Sequence, residues 1–121
     1  MENQYFVKPT EGEVTRFEEG RYSRLTLAPA STVVEGVAMG CHCMPPGTSN
    51  QMHIHETEQE LFFVYSGFGK AIIGEREFRI EPETSFIASP GVAHRIINDG
   101  SEELRFVWVF SPPLESQKKR G

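Results

Sequence analysis

The chain is short of several things, and each shortage removes a class of function. No run approaches the ~18 consecutive apolar residues that a membrane-spanning helix needs, so a membrane partner is not expected. Positive charge is scarce: 12 Lys and Arg stand against 17 Asp and Glu, for a net charge of −5. The one basic cluster, KKR at 118–120, closes the polar tail SPPLESQKKRG. Nucleic-acid binding needs a basic face to meet the phosphates, so that partner is not expected either. The opening MENQYFVKPTEGEV is acidic and polar, where a secretory signal is basic and then apolar. The expected location is cytoplasmic.

Only two cysteines occur, Cys41 and Cys43, on either side of His42 in GCHCM. On a strand, residues two apart project in parallel, a poor geometry for a mutual disulfide. With no CxxC pair and no second cluster, a structural zinc site has nothing to build from. Both are expected as reduced strand residues, lining a cavity if they face inward. Also missing are an internal repeat, a low-complexity segment, a linker and an amphipathic helix. There is no Ser-His-Asp order, no phosphate-binding glycine loop and no nucleotide fingerprint. The lack of a helix-turn-helix segment counts against a transcriptional sensor within this chain.

What is present is a single-domain length, 121 residues, and a series of short apolar or alternating runs. These are RYSRLTLA (21–28), VVEGVAMGCHCM (33–44), ELFFVYS (60–66), KAIIG (70–74), REFRI (76–80), SFIA (85–88), HRIIN (94–98) and LRFVWVF (104–110). Glycine in SGFG, GERE and NDGSE supplies the turns between them, and MPPG at 44–47 ends a strand because proline cannot donate to a ladder. About eight short strands at this spacing predict an all-β sandwich or barrel. The core is expected over about 20–112, with 113–121 a flexible tail.

Within QMHIHETEQELFF, His53 and His55 share a strand face and can converge on one ion. Glu60 lies at an odd separation from them, so ETEQ must turn or bulge if the carboxylate is to join. His94 follows a Pro-Gly turn and opens an apolar strand. Three imidazoles and one carboxylate suit a first-row divalent metal with positions left for water or substrate.

At these positions the chain resembles the cupin superfamily. The first cupin motif, G-x5-H-x-H-x4-E-x6-G, is matched without a gap by Gly47, His53, His55, Glu60 and Gly67. The second, G-x5-P-x-G-x2-H-x3-N, is matched at Gly91, His94 and Asn98, but Glu83 and Ser89 replace its first glycine and its proline. Those departures question the backbone of the 81–90 loop, not the ligand set. The resemblance implies a small antiparallel jelly-roll (double-stranded β-helix) barrel. It also implies one divalent transition metal (Fe, Mn, Ni or Zn) on His53, His55, Glu60 and His94.

With Glu60 inward, Phe62 and Val64 share its face, while Leu61, Phe63 and Tyr65 share the other. Both faces are apolar, so a second sheet or another subunit should cover the outside, and a homodimer is expected. Ile96 and Asn98 have the parity of His94, Phe106 and Trp108 lie on the aromatic face of the last strand, and Gln51 has the parity of His53. These five together with Phe62 are the candidate substrate contacts, with Gln51 reaching the metal's outer shell. Arg79, Arg95 and Arg105 are weaker candidates for anchoring a carboxylate, and His42 can serve only if Cys41 and Cys43 face outward. The expected partner is a small molecule. The function expected is that of a metal-dependent enzyme, leaning to an Fe or Mn dioxygenase because few acid-base groups stand near the ligands. The alternatives are a redox-inert isomerase, lyase or decarboxylase, and a non-catalytic module binding a small molecule or sugar. Because histidine must be neutral to coordinate, metal affinity should fall below pH ~6.

Overall fold

Alternating runs cut by glycine and proline fold as nine strands in the computed structural model, which describes residues 4–118. They are Glu13–Arg16 (β1), Tyr22–Leu27 (β2), Ala38–Met44 (β3), Gln59–Ser66 (β4), Gly69–Ile73 (β5), Arg76–Ile80 (β6), Ser85–Ala88 (β7), His94–Ile97 (β8) and Leu104–Ser111 (β9). Every pairing between them is antiparallel. The strands form a six-stranded sheet, β1-β2-β3-β9-β4-β7, and a three-stranded sheet, β6-β5-β8. Bridges Ser49↔Ile97 and His53↔His94 lay the 48–53 segment along the free side of β8. The result is an all-β jelly-roll barrel. No helix among the described residues is long and apolar enough to cross a membrane.

The central strands explain the closure. In β9, Leu104, Phe106, Trp108 and Phe110 are buried and their neighbours are not. In β4 the same alternation buries Glu60, Phe62 and Val64. Those inward rows meet Ala71, Ile80 and Ile96 of the smaller sheet in one core. The outward row is different: Leu61, Phe63 and Tyr65 of β4 and Ile87 of β7 stay 40–45 % exposed in the single chain. The second sheet covers the inner face only.

Several boundaries differ from the sequence expectations. Strand β1 precedes the expected core; EVTR has no apolar alternation because it is a solvated edge strand. Residues 33–37 do not continue β3 upstream. The first part of the expected flexible tail is packed: Gln117 is buried, its carbonyl accepts from Ala30 N at 3.3 Å, and Leu114 rests on the core. Of the basic cluster, Lys119 and Arg120 lie outside the described residues. Glu83, standing where the motif has glycine, takes the left-handed conformation at φ 74. Its N–H donates to Val64 O at 2.7 Å, so the loop keeps the glycine-type backbone without the glycine.

Candidate metal centre

Main-chain bonds position the ligand candidates before any side chain is considered. His53, just outside β4, pairs with His94, the first residue of β8. The Gly91 N–H, at φ 80, donates to the His55 carbonyl at 2.8 Å and ties the second motif to the first. A bend at Glu56 and Thr57 then resets the alternation, so Glu60 points inward with the histidines. The donor atoms of His53, His55, Glu60 and His94 all lie within 4.8 Å of one another.

Two of the three imidazoles are oriented by main-chain carbonyls. His53 Nδ1 lies 2.8 Å from Gln51 O and His94 Nδ1 lies 3.1 Å from Val92 O. A carbonyl can only accept, so Nδ1–H donates and both Nε2 lone pairs are left to face the group, the usual arrangement behind a metal ligand. Glu60 Oε1 stands 3.2 Å from His94 Nε2 and 3.5 Å from His55 Nε2. Burial alone would raise the Glu60 carboxyl, yet the two imidazoles outweigh it and hold it below its usual range. His94 is shifted oppositely: burial lowers it, but Glu60 and the Val92 carbonyl together more than compensate and the net direction is up. Burial dominates at His53 and lowers it. Three nitrogens and one anionic oxygen within this span fit a first-row divalent ion.

The group opens on a cavity of ≈ 1050 Å³ that Phe62, Ile96, Phe106, Trp108 and Gln51 all line. Gln51 meets His53 through its backbone carbonyl. Asn98 is a correction: it does not line the cavity. Its amide is fully committed, Nδ2 donating to Met44 O at 2.9 Å and Glu102 O at 2.8 Å while Oδ1 accepts from Gly100 N at 3.0 Å. Arg79 and Arg105 are paired outside with Asp99 and Glu103. Arg95 does line the cavity, with Nε donating to Ser49 Oγ and Asn50 O.

On β3, His42 faces inward and is 8 % exposed, which puts Cys41 and Cys43 on the outer face. Both thiols are free, and Cys43 is pushed up to about 11, chiefly by burial. His42 pairs across the ladder with Ser23, whose Oγ lies 2.7 Å from Nδ1 and accepts from Trp108 Nε1 at 3.3 Å. The indole reaches Ser23 over Gly40, where any Cβ would overlap the Trp108 ring and the Arg24 carbonyl. Burial, then the Arg21 charge, lowers His42 to about 4, with Glu60 acting the other way. Arg21 and Ser23 were not among the sequence candidates, although their shared parity with Leu25 in RYSRLTL signals the inward face.

Comparison with known proteins agrees with this architecture. The family model described as a cupin domain matches residues 40–110. An oxalate-binding protein of Thermotoga maritima is 30 % identical over 67 residues, 55 % of this chain and 55 % of that protein. The matched segments span 55–71 % of the curated relatives' own lengths. KdgF from Halomonas sp. superposes with a TM-score of 0.81 at 17 % identity, covering 94 % of this chain and 98 % of that one. A predicted oxalate decarboxylase from Thermotoga maritima gives a TM-score of 0.75 at 21 % identity, covering 88 % and 98 %. At such identities the likeness to the solved structures concerns the fold alone.

Proposed function

This chain belongs to the cupin family, and from that premise we propose that it is a divalent-metal-dependent enzyme acting on a small organic molecule. The observation that carries the reading is the convergence of His53, His55, Glu60 and His94 within 4.8 Å at the wall of an aromatic-lined cavity. These four would hold one ion of Fe, Mn, Ni or Zn. Such an ion supplies Lewis acidity or, as iron or manganese, redox chemistry with dioxygen. The chain's own part is to fix the ligands through backbone bonds and to surround the substrate with Phe62, Ile96, Phe106 and Trp108, which exclude water. The leading reading is an Fe or Mn dioxygenase, because among the described residues no acid-base side chain other than the ligands themselves is hydrogen-bonded to the group.

A redox-inert isomerase, lyase or decarboxylase is the second reading. His42 inside the cavity favours it, as does the kinship with a relative named for binding oxalate. Oxygen uptake and product analysis on iron- and manganese-loaded protein separate the two: oxygen consumption supports the first, turnover without oxygen the second. Tight retention of a ligand with no turnover marks a binding module instead. The proposal includes one domain through the whole chain, a cytoplasmic location, and a homodimer formed across the outward apolar row of β4 and β7.

A further inference from the structure

Among the described residues, two buried polar atoms in the cavity wall lack a partner: His42 Nε2 and Arg21 Nε. A buried donor without an acceptor is costly, on the order of 1–3 kcal/mol, and such atoms in a native wall call for an explanation. Both residues line the same cavity. His42 is more than nine-tenths buried.

The hydrogen-bond chain behind His42 fixes which kind of partner is missing. Trp108 Nε1–H donates to Ser23 Oγ, and among the described residues the one acceptor that meets the Ser23 hydroxyl proton is His42 Nδ1, at 2.7 Å. Nδ1 therefore accepts, and in the neutral ring the proton sits on Nε2. The free atom is a donor aimed at an acceptor. Arg21 offers N–H groups only, and among the described residues its guanidinium makes no ion pair; it stacks on the Phe17 ring, 5.2 Å from the centroid. Of the other two arginines that line the cavity, Arg95 is already held by Ser49 and Asn50 and Arg16 lies over the Tyr22 ring, 5.8 Å from its centroid.

We propose that Arg21 and His42 form a carboxylate-binding subsite in the cavity, separated along the strands from the His/Glu group. One fixed positive charge and one neutral donor balance a monoanion, not a phosphate dianion. Register gives the spacing. His42 lies level with Phe106 and Val64, whereas Glu60 lies level with Phe110. The offset is ~13 Å of strand, room for a small ligand with an apolar body against Trp108 and Phe106. The inference deepens the proposed function by naming a substrate class, a small carboxylate, and rests on that reading only in taking the cavity as the ligand site.

Trp108 is the chain's single tryptophan, so its fluorescence reports occupancy of this cavity. The full chain, as purified and again after chelation, is titrated with benzoate, benzyl alcohol and inorganic phosphate. Benzoate is expected to bind at least about tenfold tighter than benzyl alcohol, and tighter than phosphate, in both preparations. Arg21→Gln, at a half-buried position, weakens benzoate about tenfold and leaves benzyl alcohol within about twofold; His42→Phe does the same. Equal affinity for benzoate and benzyl alcohol, no saturable benzoate binding, tighter phosphate, or undiminished benzoate affinity in Arg21→Gln overturns the subsite. If His42→Phe fails to fold, Arg21→Gln decides alone. The chelated arm needs no metal, so loss of the metal reading would leave this result standing, and the reverse.

Discussion

The backbone N–H of His53 donates to the carbonyl of His94 at 3.0 Å, and the N–H of His94 returns the bond to His53 at 2.9 Å. The two rings, from different motifs, stand 4.1 Å apart by centroid. Each ring also anchors its Nδ1 on the carbonyl two residues upstream, Gln51 for His53 and Val92 for His94. The ligand geometry is thus imposed by main chain, and deleting either imidazole leaves the pairing that holds the segments together. Histidine-to-alanine variants therefore test coordination rather than folding.

His42 gives the fold a defined acid sensitivity. Its pKa falls from the ordinary 6.5 to about 4 in the folded chain, a difference worth roughly 3 kcal/mol. Because the folded value is depressed, the unfolded chain takes the proton first. This contribution is whole above pH 6.5 and disappears as pH falls toward 4. Urea unfolding at pH 7 and pH 4 should show the wild type losing roughly 3 kcal/mol more than His42→Phe. Parallel pH profiles for the two would contradict it.

Glu83 holds a conformation that a side chain disfavours, at φ 74 with its side chain exposed. Glu83→Gly relieves that strain but loosens the unfolded chain, for a net gain of roughly 0.5–1 kcal/mol. A higher urea midpoint with an unchanged slope is the expected result. A lower midpoint counts against the strained backbone.

Gly40 behaves oppositely. Alanine in place of a strand glycine ordinarily stabilises, but here the added carbon meets Trp108 and the Arg24 carbonyl. Gly40→Ala should cost about 1–3 kcal/mol and shift Trp108 emission as the indole leaves Ser23. Unaltered stability and emission would show that the indole does not need that gap.

The outward row of Leu61, Phe63, Tyr65 and Ile87 sets the assembly prediction. Light scattering should give twice the chain mass for the wild type and the chain mass for Leu61→Lys combined with Phe63→Lys, since buried lysines oppose the contact. A monomeric wild type at tens of micromolar would remove the dimer.

The strands and the His/Glu group were legible because their signals are local. Parity places Phe62 and Val64 beside Glu60, and spacing within two short segments identifies His53, His55 and His94. The Arg21, Ser23, His42 and Trp108 constellation was not, because it exists only once β2, β3 and β9 lie side by side. No spacing within RYSRLTL or GCHCM announces that Ser23 will face His42, or that Gly40 will admit an indole from β9. Asn98 shows the converse: correct parity, but an amide committed to carbonyls that only the closed turn brings near. The polar edge strand β1 and the docked Gln117 escaped for the same reason, carrying no apolar period of their own.

The most direct test of the central claim is metal content beside thermal stability, measured on protein purified without an affinity tag. The wild type should carry about one transition-metal ion per chain and melt several degrees lower after chelation, since an ion bound only to the folded state stabilises it. His94→Ala should carry less than about a tenth of that metal and melt at the same temperature with or without chelator. A His94→Ala protein that keeps its full metal content and its chelator-sensitive melting point would contradict the assignment.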